Sequence, residues 1–350
     1  MCNGEVDYNE YSASNTATVV VIVPVTTVSI TSTGIGTNSV VVVEEGGSQN
    51  FTCTTGTSRP AAWIKWYIGG VNVSNQAIHL SQPVGDMFIS YSRLEYTGKN
   101  SDHPKSVYCE AANIEEAGLQ SPQIYIYVQV PVRTVTITYT GNNNVADVVE
   151  GENQTFTCTT GTSRPAAWIE WYIGGRNVTN QTIPHQSQQV GDTFISYSSL
   201  VYKGYDTDHN KKIWCRAVNI EGRSSVNSTE ISIYIQVPVT NVTITYTGNN
   251  NVADVVEGEN QTFTCNTSTS RPAAWIEWYI GGQHVTNHAN PNQFINLTTQ
   301  QVNDKFILFS SLIYTGSDID HNKTICCRAS NIEWRPTVNS KEILLYIKGI

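Results

Sequence analysis

Eight cysteines and a scatter of Asn-x-Ser/Thr triplets are the residues that equip this 350-residue chain for covalent chemistry. Thiols are oxidised in pairs, and the amides of such triplets accept glycans. The cysteines fall into long-range couples, one to each repeat of the sequence: Cys53 with Cys109, Cys158 with Cys215, and Cys265 with Cys327. No Cys-x-x-Cys occurs, so the spacing reads as disulfides and not as zinc or redox centres. Closing loops of this length stabilises each module by about 4 kcal/mol in the chain-entropy account. Paired cysteines imply an oxidising compartment, and the triplets at Asn50, Asn72, Asn153, Asn177, Asn180, Asn227, Asn241, Asn260, Asn266, Asn296 and Asn322 agree with an extracellular glycoprotein. Two thiols are left over. Cys2 has no partner in the chain, and Cys326 stands beside Cys327.

The elements that must carry these residues recur. Val23-Pro24-Val25, Val130-Pro131-Val132 and Val237-Pro238-Val239 follow runs of β-formers such as IYIYVQ and ISIYIQ. NVADVVEGENQTFTC and SRPAAWIEWYIGG recur nearly letter for letter around Cys158 and Cys265, with a looser copy around Cys53. Such a period marks an array of small domains. The junctions set off three complete modules, 24–130, 131–237 and 238–350. Residues 1–23 read as the last two strands of a preceding module, because Cys2 precedes Pro24 as Cys109 precedes Pro131. The expectation is an internal piece of a longer array. Proline restrains its own φ and biases the preceding residue to extended geometry, and no Gly/Ser-rich spacer intervenes, so a semi-rigid rod is predicted.

Val, Ile, Thr and Tyr dominate, 14% of residues are charged, and no stretch keeps a helical period, which predicts an all-β chain. A net charge of -9 argues against nucleic acid or an anionic membrane as partner. The sequence holds no apolar run of about 18 residues, no signal-peptide core and no lipid-anchor tail, so a membrane is expected only through a segment absent from this chain. Neither G-x-S-x-G nor H-E-x-x-H nor a phosphate loop occurs, and VVEGEN lacks the spaced carboxylates of a calcium loop. Neither catalysis nor a cofactor is expected. Asp102-His103, Asp208-His209 and Asp320-His321 recur ahead of the second cysteine, but supply too few ligands for a closed metal site. They read as a turn in which Asp satisfies backbone N–H groups.

In each module a tryptophan lies thirteen residues after the first cysteine: Trp66, Trp171 and Trp278. Cysteine, tryptophan and a second cysteine over many short strands form the signature of an immunoglobulin-like sandwich. SRPAAWIEWYIGG, SSLVY and DHNKKIWCRAVN together resemble the C2-type (CD80-like C2) immunoglobulin modules of the nephrin, kirre and nectin class of adhesion receptors, over essentially the whole chain. The chain departs from many such domains at Val107, Ile213 and Ile325, which stand where a tyrosine closes a corner. The resemblance implies tandem sandwiches and a non-catalytic role in cell-cell adhesion or recognition. A secreted immune-recognition protein and a matrix spacer are the alternatives that the same sandwich accommodates.

Period 2 along a strand sorts its side chains. With the core tryptophan inward, Trp63, Lys65 and Tyr67 point outward, as do Trp168, Glu170 and Tyr172, and Trp275, Glu277 and Tyr279. With the second cysteine inward, Tyr108 and Glu110, Trp214 and Arg216, and Cys326 and Arg328 point outward. The two strands pair antiparallel in this fold. Setting Trp66 opposite Cys109 sets Lys65 against Glu110 and Tyr67 against Tyr108, and the same register sets Glu170 against Arg216 and Glu277 against Arg328. Complementarity holds in all three modules although the first has its signs exchanged. Rigid aromatics beside charges are enriched at interfaces, so this row is the candidate binding face for a protein ligand, either a second copy of the chain or another immunoglobulin-superfamily receptor. Asn50, Asn153 and Asn260 fall on the opposite sheet, while Asn72 and Asn177 are expected to crowd only the edge of the face. Cys326, in the place of Tyr108 and Trp214, is expected to be an unpaired outward thiol, partly covered and inert rather than bridged to another chain.

Overall fold

The computed structural model describes residues 19–34, 39–115, 118–141, 143–248, 250–285 and 293–349; Cys2 and most of residues 1–23 lie outside them. The β-branched runs become strands of alternating burial. Ile124–Gln129 buries Ile124, Ile126 and Val128 and turns Tyr125, Tyr127 and Gln129 outward. A period of two is what a sheet with one packed and one wet face demands.

Each repeat builds one sandwich. In the first, strand A is Val28–Ser32, A′ Val40–Glu44, B Ser48–Ser58, C Trp63–Ile68, C′ Val71–Asn72, D Ala77–Val84, E Met87–Thr97, F Ser106–Ala112 and G Ile124–Gln129. One sheet runs A-B-E-D; the other runs A′-G-F-C-C′, with a short strand, Leu119–Gln120, also paired to F. A′ runs parallel to G, so the first strand of each module is shared between both sheets. The second and third modules repeat this order. Their C strands are Trp168–Ile173 and Trp275–Ile280, their C′ strands Arg176–Asn177 and Gln283–Val285, their F strands Lys212–Val218 and Thr324–Ser330, and the short strands beside F are Val226–Asn227 and Val338–Asn339. The protein is therefore nearly all β, in three tandem immunoglobulin-like sandwiches.

The chain divides into two compact units, one made of residues 1–131 with 163–165 and 191–193, the other of the remainder. Within each sandwich the core forms around the disulfide and its tryptophan. Bonds join Cys53 to Cys109, Cys158 to Cys215 and Cys265 to Cys327. Trp66, Trp171 and Trp278 are fully buried. Their indole N–H groups donate to Ser92, Ser198 and Ser310 Oγ at 2.8, 3.1 and 2.9 Å, so no buried donor is left unpaired there.

The Asp-His turn differs from the sequence expectation. Asp102 accepts the hydroxyl of Tyr96 on strand E at 3.1 Å and the ammonium of Lys105 at 2.8 Å, and Tyr96 Oη itself accepts the Lys99 N–H at 3.1 Å. Tyr202 with Asp208, and Tyr314 with Asp320, repeat the device. A side-chain hydroxyl and an ammonium thus take the carboxylate, and the tyrosine that closes the corner has moved from strand F to strand E. Burial pushes the Tyr96 hydroxyl up to about 12, which keeps it a donor. The neighbouring imidazoles pin strand G: His103, His209 and His321 Nδ1 accept the N–H groups of Val128, Ile235 and Ile347 at 3.3, 3.1 and 3.1 Å.

Candidate functional site

Strands C and F meet in a register of Trp66 opposite Cys109, Lys65 opposite Glu110 and Tyr67 opposite Tyr108. Glu170 faces Arg216 and Tyr172 faces Trp214 in the second module; Glu277 faces Arg328 and Tyr279 faces Cys326 in the third. Opposed residues of an antiparallel pair project from the same side of a sheet, so each module presents one outward row.

Each row adopts its own chemistry. In the first module Tyr67 and Tyr108 stack with centroids 5.1 Å apart, and Lys65 Nζ lies 4.4 Å from the Trp63 ring. Tyr67 titrates above the ordinary phenol range, through partial desolvation and the adjacent Glu110 carboxylate. In the second module Tyr172 and Trp214 stack at 4.3 Å with planes 7° apart. Glu170 there accepts from the Arg216 guanidinium and, at 3.1 Å, from the Tyr172 hydroxyl. Both partners are partly exposed, so the ion pair is worth about 0.2 to 1 kcal/mol. In the third module Tyr279 donates to Glu277 at 3.0 Å, Arg328 covers the Tyr279 ring at 4.1 Å, and His284 meets that ring edge-on at 5.3 Å.

Trp63, Trp168 and Trp275 remain 39%, 54% and 40% exposed, with the His185 ring 5.5 Å from that of Trp168. Cys326 is different. It occupies the outward row and has no disulfide partner, yet it is only 8% exposed. Its thiol is smaller than the indole of Trp214 and sinks beneath the larger side chains around it, and burial raises its pKa. The thiol is thus unpaired and covered.

The flanks of the rows are set by short strands. Two glycines with positive φ, at +54° and +80° for Gly69 and Gly70, join C to C′ in a tight two-residue hairpin. That hairpin fixes Tyr67 opposite Asn72, as its counterparts fix Tyr172 opposite Asn177 and Tyr279 opposite His284. Asn72 and Asn177 therefore sit on the edge strand of the sheet, directly opposite the outward tyrosines of the row. On the other flank Gln120, Asn227 and Asn339 face Glu110, Arg216 and Arg328. Asn227 opens a triplet with Thr229, whereas Lys341 ends the triplet of Asn339, so only the second module carries a sequon on both flanks.

Three separate stretches, residues 35–118, 137–225 and 244–335, match the CD80-like C2-set immunoglobulin domain family. The chain belongs to that family. Human nephrin is 24% identical over 311 residues, covering 85% of this chain and 23% of nephrin. Human cell adhesion molecule 4 is 27% identical over 181 residues, 51% of this chain and 42% of that protein. The chain thus spans less than a quarter of the length of nephrin. The crystal structure of the full ectodomain of mouse nectin-like molecule 4 aligns with 89% of this chain and 98% of its own at 18% identity and a TM-score of 0.45.

Two repeated residues of these C2-set modules escaped the sequence reading. The arginine of SRPAAW is buried in the second and third modules: Arg271 is 2% exposed, donates to the Ile235 carbonyl at 2.8 Å and to Asp206 at 3.0 Å, and also engages Asp304. Lys305 joins Asp206 at 2.7 Å, where these cations hold the carboxyl below its ordinary range. In the first unit Arg164 makes the corresponding bonds to the Val128 carbonyl and Asn100, both at 2.7 Å. The asparagine that ends strand F clamps the Val-Pro-Val segment. Asn331 accepts the Val239 N–H at 3.0 Å and donates to the Val237 carbonyl at 2.8 Å, as Asn113 does for Val25 and Val23. Their invariance across the three repeats was the available signal. Among the described residues no cluster of three metal-ligating side chains occurs, and no helix is long and apolar enough to cross a membrane.

Proposed function

We propose that the chain is part of an extracellular protein that mediates cell-cell adhesion or recognition by non-catalytic protein binding along a semi-rigid row of modules. The observation that carries the reading is the outward row of C and F, where rigid aromatics and an acid-base couple recur in three modules at one register. Neighbouring acid and base on one face make it self-complementary, since the acid of one copy meets the base of another across a two-fold axis. The partner is accordingly a second copy or another immunoglobulin-superfamily receptor. Similarity to proteins named as adhesion molecules supports the same assignment.

Bead aggregation tests it. Beads coated with the secreted chain should clump, Glu277→Arg should weaken clumping, and mixing Glu277→Arg beads with Arg328→Glu beads should restore it. Clumping indifferent to both reversals would remove the third module's face from the contact. Beads that never clump, from folded protein, would leave only the heterophilic form of the proposal.

A further inference from the structure

The aromatic stack of the second module has an unclaimed neighbour. Asn177 is exposed, and its two amide atoms are held in fixed directions: Oδ1 accepts the Thr179 N–H at 2.9 Å, and Nδ2 donates to the Tyr172 hydroxyl at 3.3 Å. Nδ2 is the atom that a glycan would occupy in the triplet Asn177-Val178-Thr179. Tyr172 stands between C′ on one side and Trp214 on the other. Its ring lies 4.3 Å from Trp214, the Arg216 guanidinium lies 5.0 Å from its centroid, and Asn177 meets it at the hydroxyl from the neighbouring strand C′.

We infer that Asn177 is N-glycosylated and that the first N-acetylglucosamine packs its apolar face on Tyr172, with Trp214 as backing, so that this stack is a sugar platform. The transfer uses a polyprenyl-diphosphate-linked oligosaccharide of the secretory pathway. Asn177 Nδ2 forms the bond to C1 of the sugar, the C1–O bond to the diphosphate breaks, the lipid diphosphate leaves with that electron pair, and one amide proton is released. The modified Nδ2 keeps one N–H.

The other two modules supply the comparison that makes the assignment specific. Asn72, in the triplet with Ser74, stands opposite Tyr67 beside a second stacked pair, Tyr67 on Tyr108. In the third module the stack has lost its second ring to Cys326 and the sequon has been lost too, since His284 stands at the Asn position. There the His284 imidazole packs against Tyr279, where the sugar would lie in the second module. Sequon and two-ring stack thus occur together twice and are absent together once. A ring packed on the outward tyrosine is common to the site whatever supplies it.

Occupancy of Asn177 can be measured without any protein partner. The full chain is secreted from cells that make only oligomannose glycans and trimmed with endoglycosidase H, which leaves one N-acetylglucosamine per occupied site. Glycopeptide mass spectrometry should find that sugar on Asn177, and proton NMR should show an N-acetyl methyl signal shifted upfield by the rings that disappears in Asn177→Gln. Asn177→Gln should lower the melting temperature by roughly 4 °C. The loss attributable to the sugar should persist in a Tyr172→Phe background, which keeps the ring without the hydroxyl, and vanish in Tyr172→Leu. Asn180→Gln, which removes the neighbouring sequon, should change nothing. An unmodified Asn177, an unshifted methyl, or equal losses in the Phe and Leu backgrounds would overturn the assignment.

Discussion

The outward sheets of the second and third modules begin from the same strand C, Trp-Ile-Glu-Trp-Tyr-Ile at 168–173 and 275–280, and finish as different surfaces. One carries a full aromatic stack with a sequon on either flank. The other carries a single tyrosine sandwiched between Arg328 and His284, a covered thiol, and no flanking sequon. Their cores are the same. The disulfide, the indole-to-serine bond and the Tyr-Asp corner recur in both. Packing therefore fixes the register, and the changes from Trp214 to Cys326, Asn177 to His284 and Thr229 to Lys341 decide what the register displays.

The sharpest way to test that separation is to strike the cores equally. Trp171→Ala and Trp278→Ala should each cost about 3 to 5 kcal/mol, because each empties a fully enclosed site. Denaturant titration should show matching losses, and a difference of several kcal/mol would break the equivalence. Cys326→Trp should convert the third face toward the second by rebuilding a stack on Tyr279, with a gain of about 0.5 to 1.5 kcal/mol read from the urea midpoint. Glu170→Gln should cost about 1 kcal/mol or less, since its partner Arg216 is well solvated, and high salt should shrink the cost.

The smallest contrast concerns pH. Burial holds His209 below the ordinary imidazole range, and Arg271 pushes the same way against Asp304 and Asp206. A depressed histidine pKa means that the unfolded chain binds the proton first, so the stabilisation is complete above about pH 6.5 and is lost as the pH falls toward the lower folded value. Melting between pH 7 and 5 should therefore decline less steeply for His209→Gln than for the parent.

Much of this was legible from residue types. Cysteine spacing, the tryptophan thirteen residues on, and period-2 alternation are local and periodic, and together they specify the sandwich and the opposition of Lys65 with Glu110. What escaped depends on contacts between distant strands. Nothing in the neighbourhood of Asp102 says that its acceptor oxygen will meet Tyr96, because that meeting needs strand E to pass the turn. Likewise Asn227 reaches the outward row only through the short strand after F, whose two residues are too few to announce themselves by pattern. For Cys326 alternation gave the direction of the side chain, and its burial depends on the height of its neighbours, which alternation does not give.

The asparagine at the end of strand F gives the chain a load path. Tension entering along Val237-Pro238-Val239 is passed by two hydrogen bonds to Asn331, four residues beyond Cys327. From there it crosses to strand B through a covalent sulfur bridge to Cys265. A pull on the third module is thus shared with a cross-link that cannot shear, and strand A need not carry it alone.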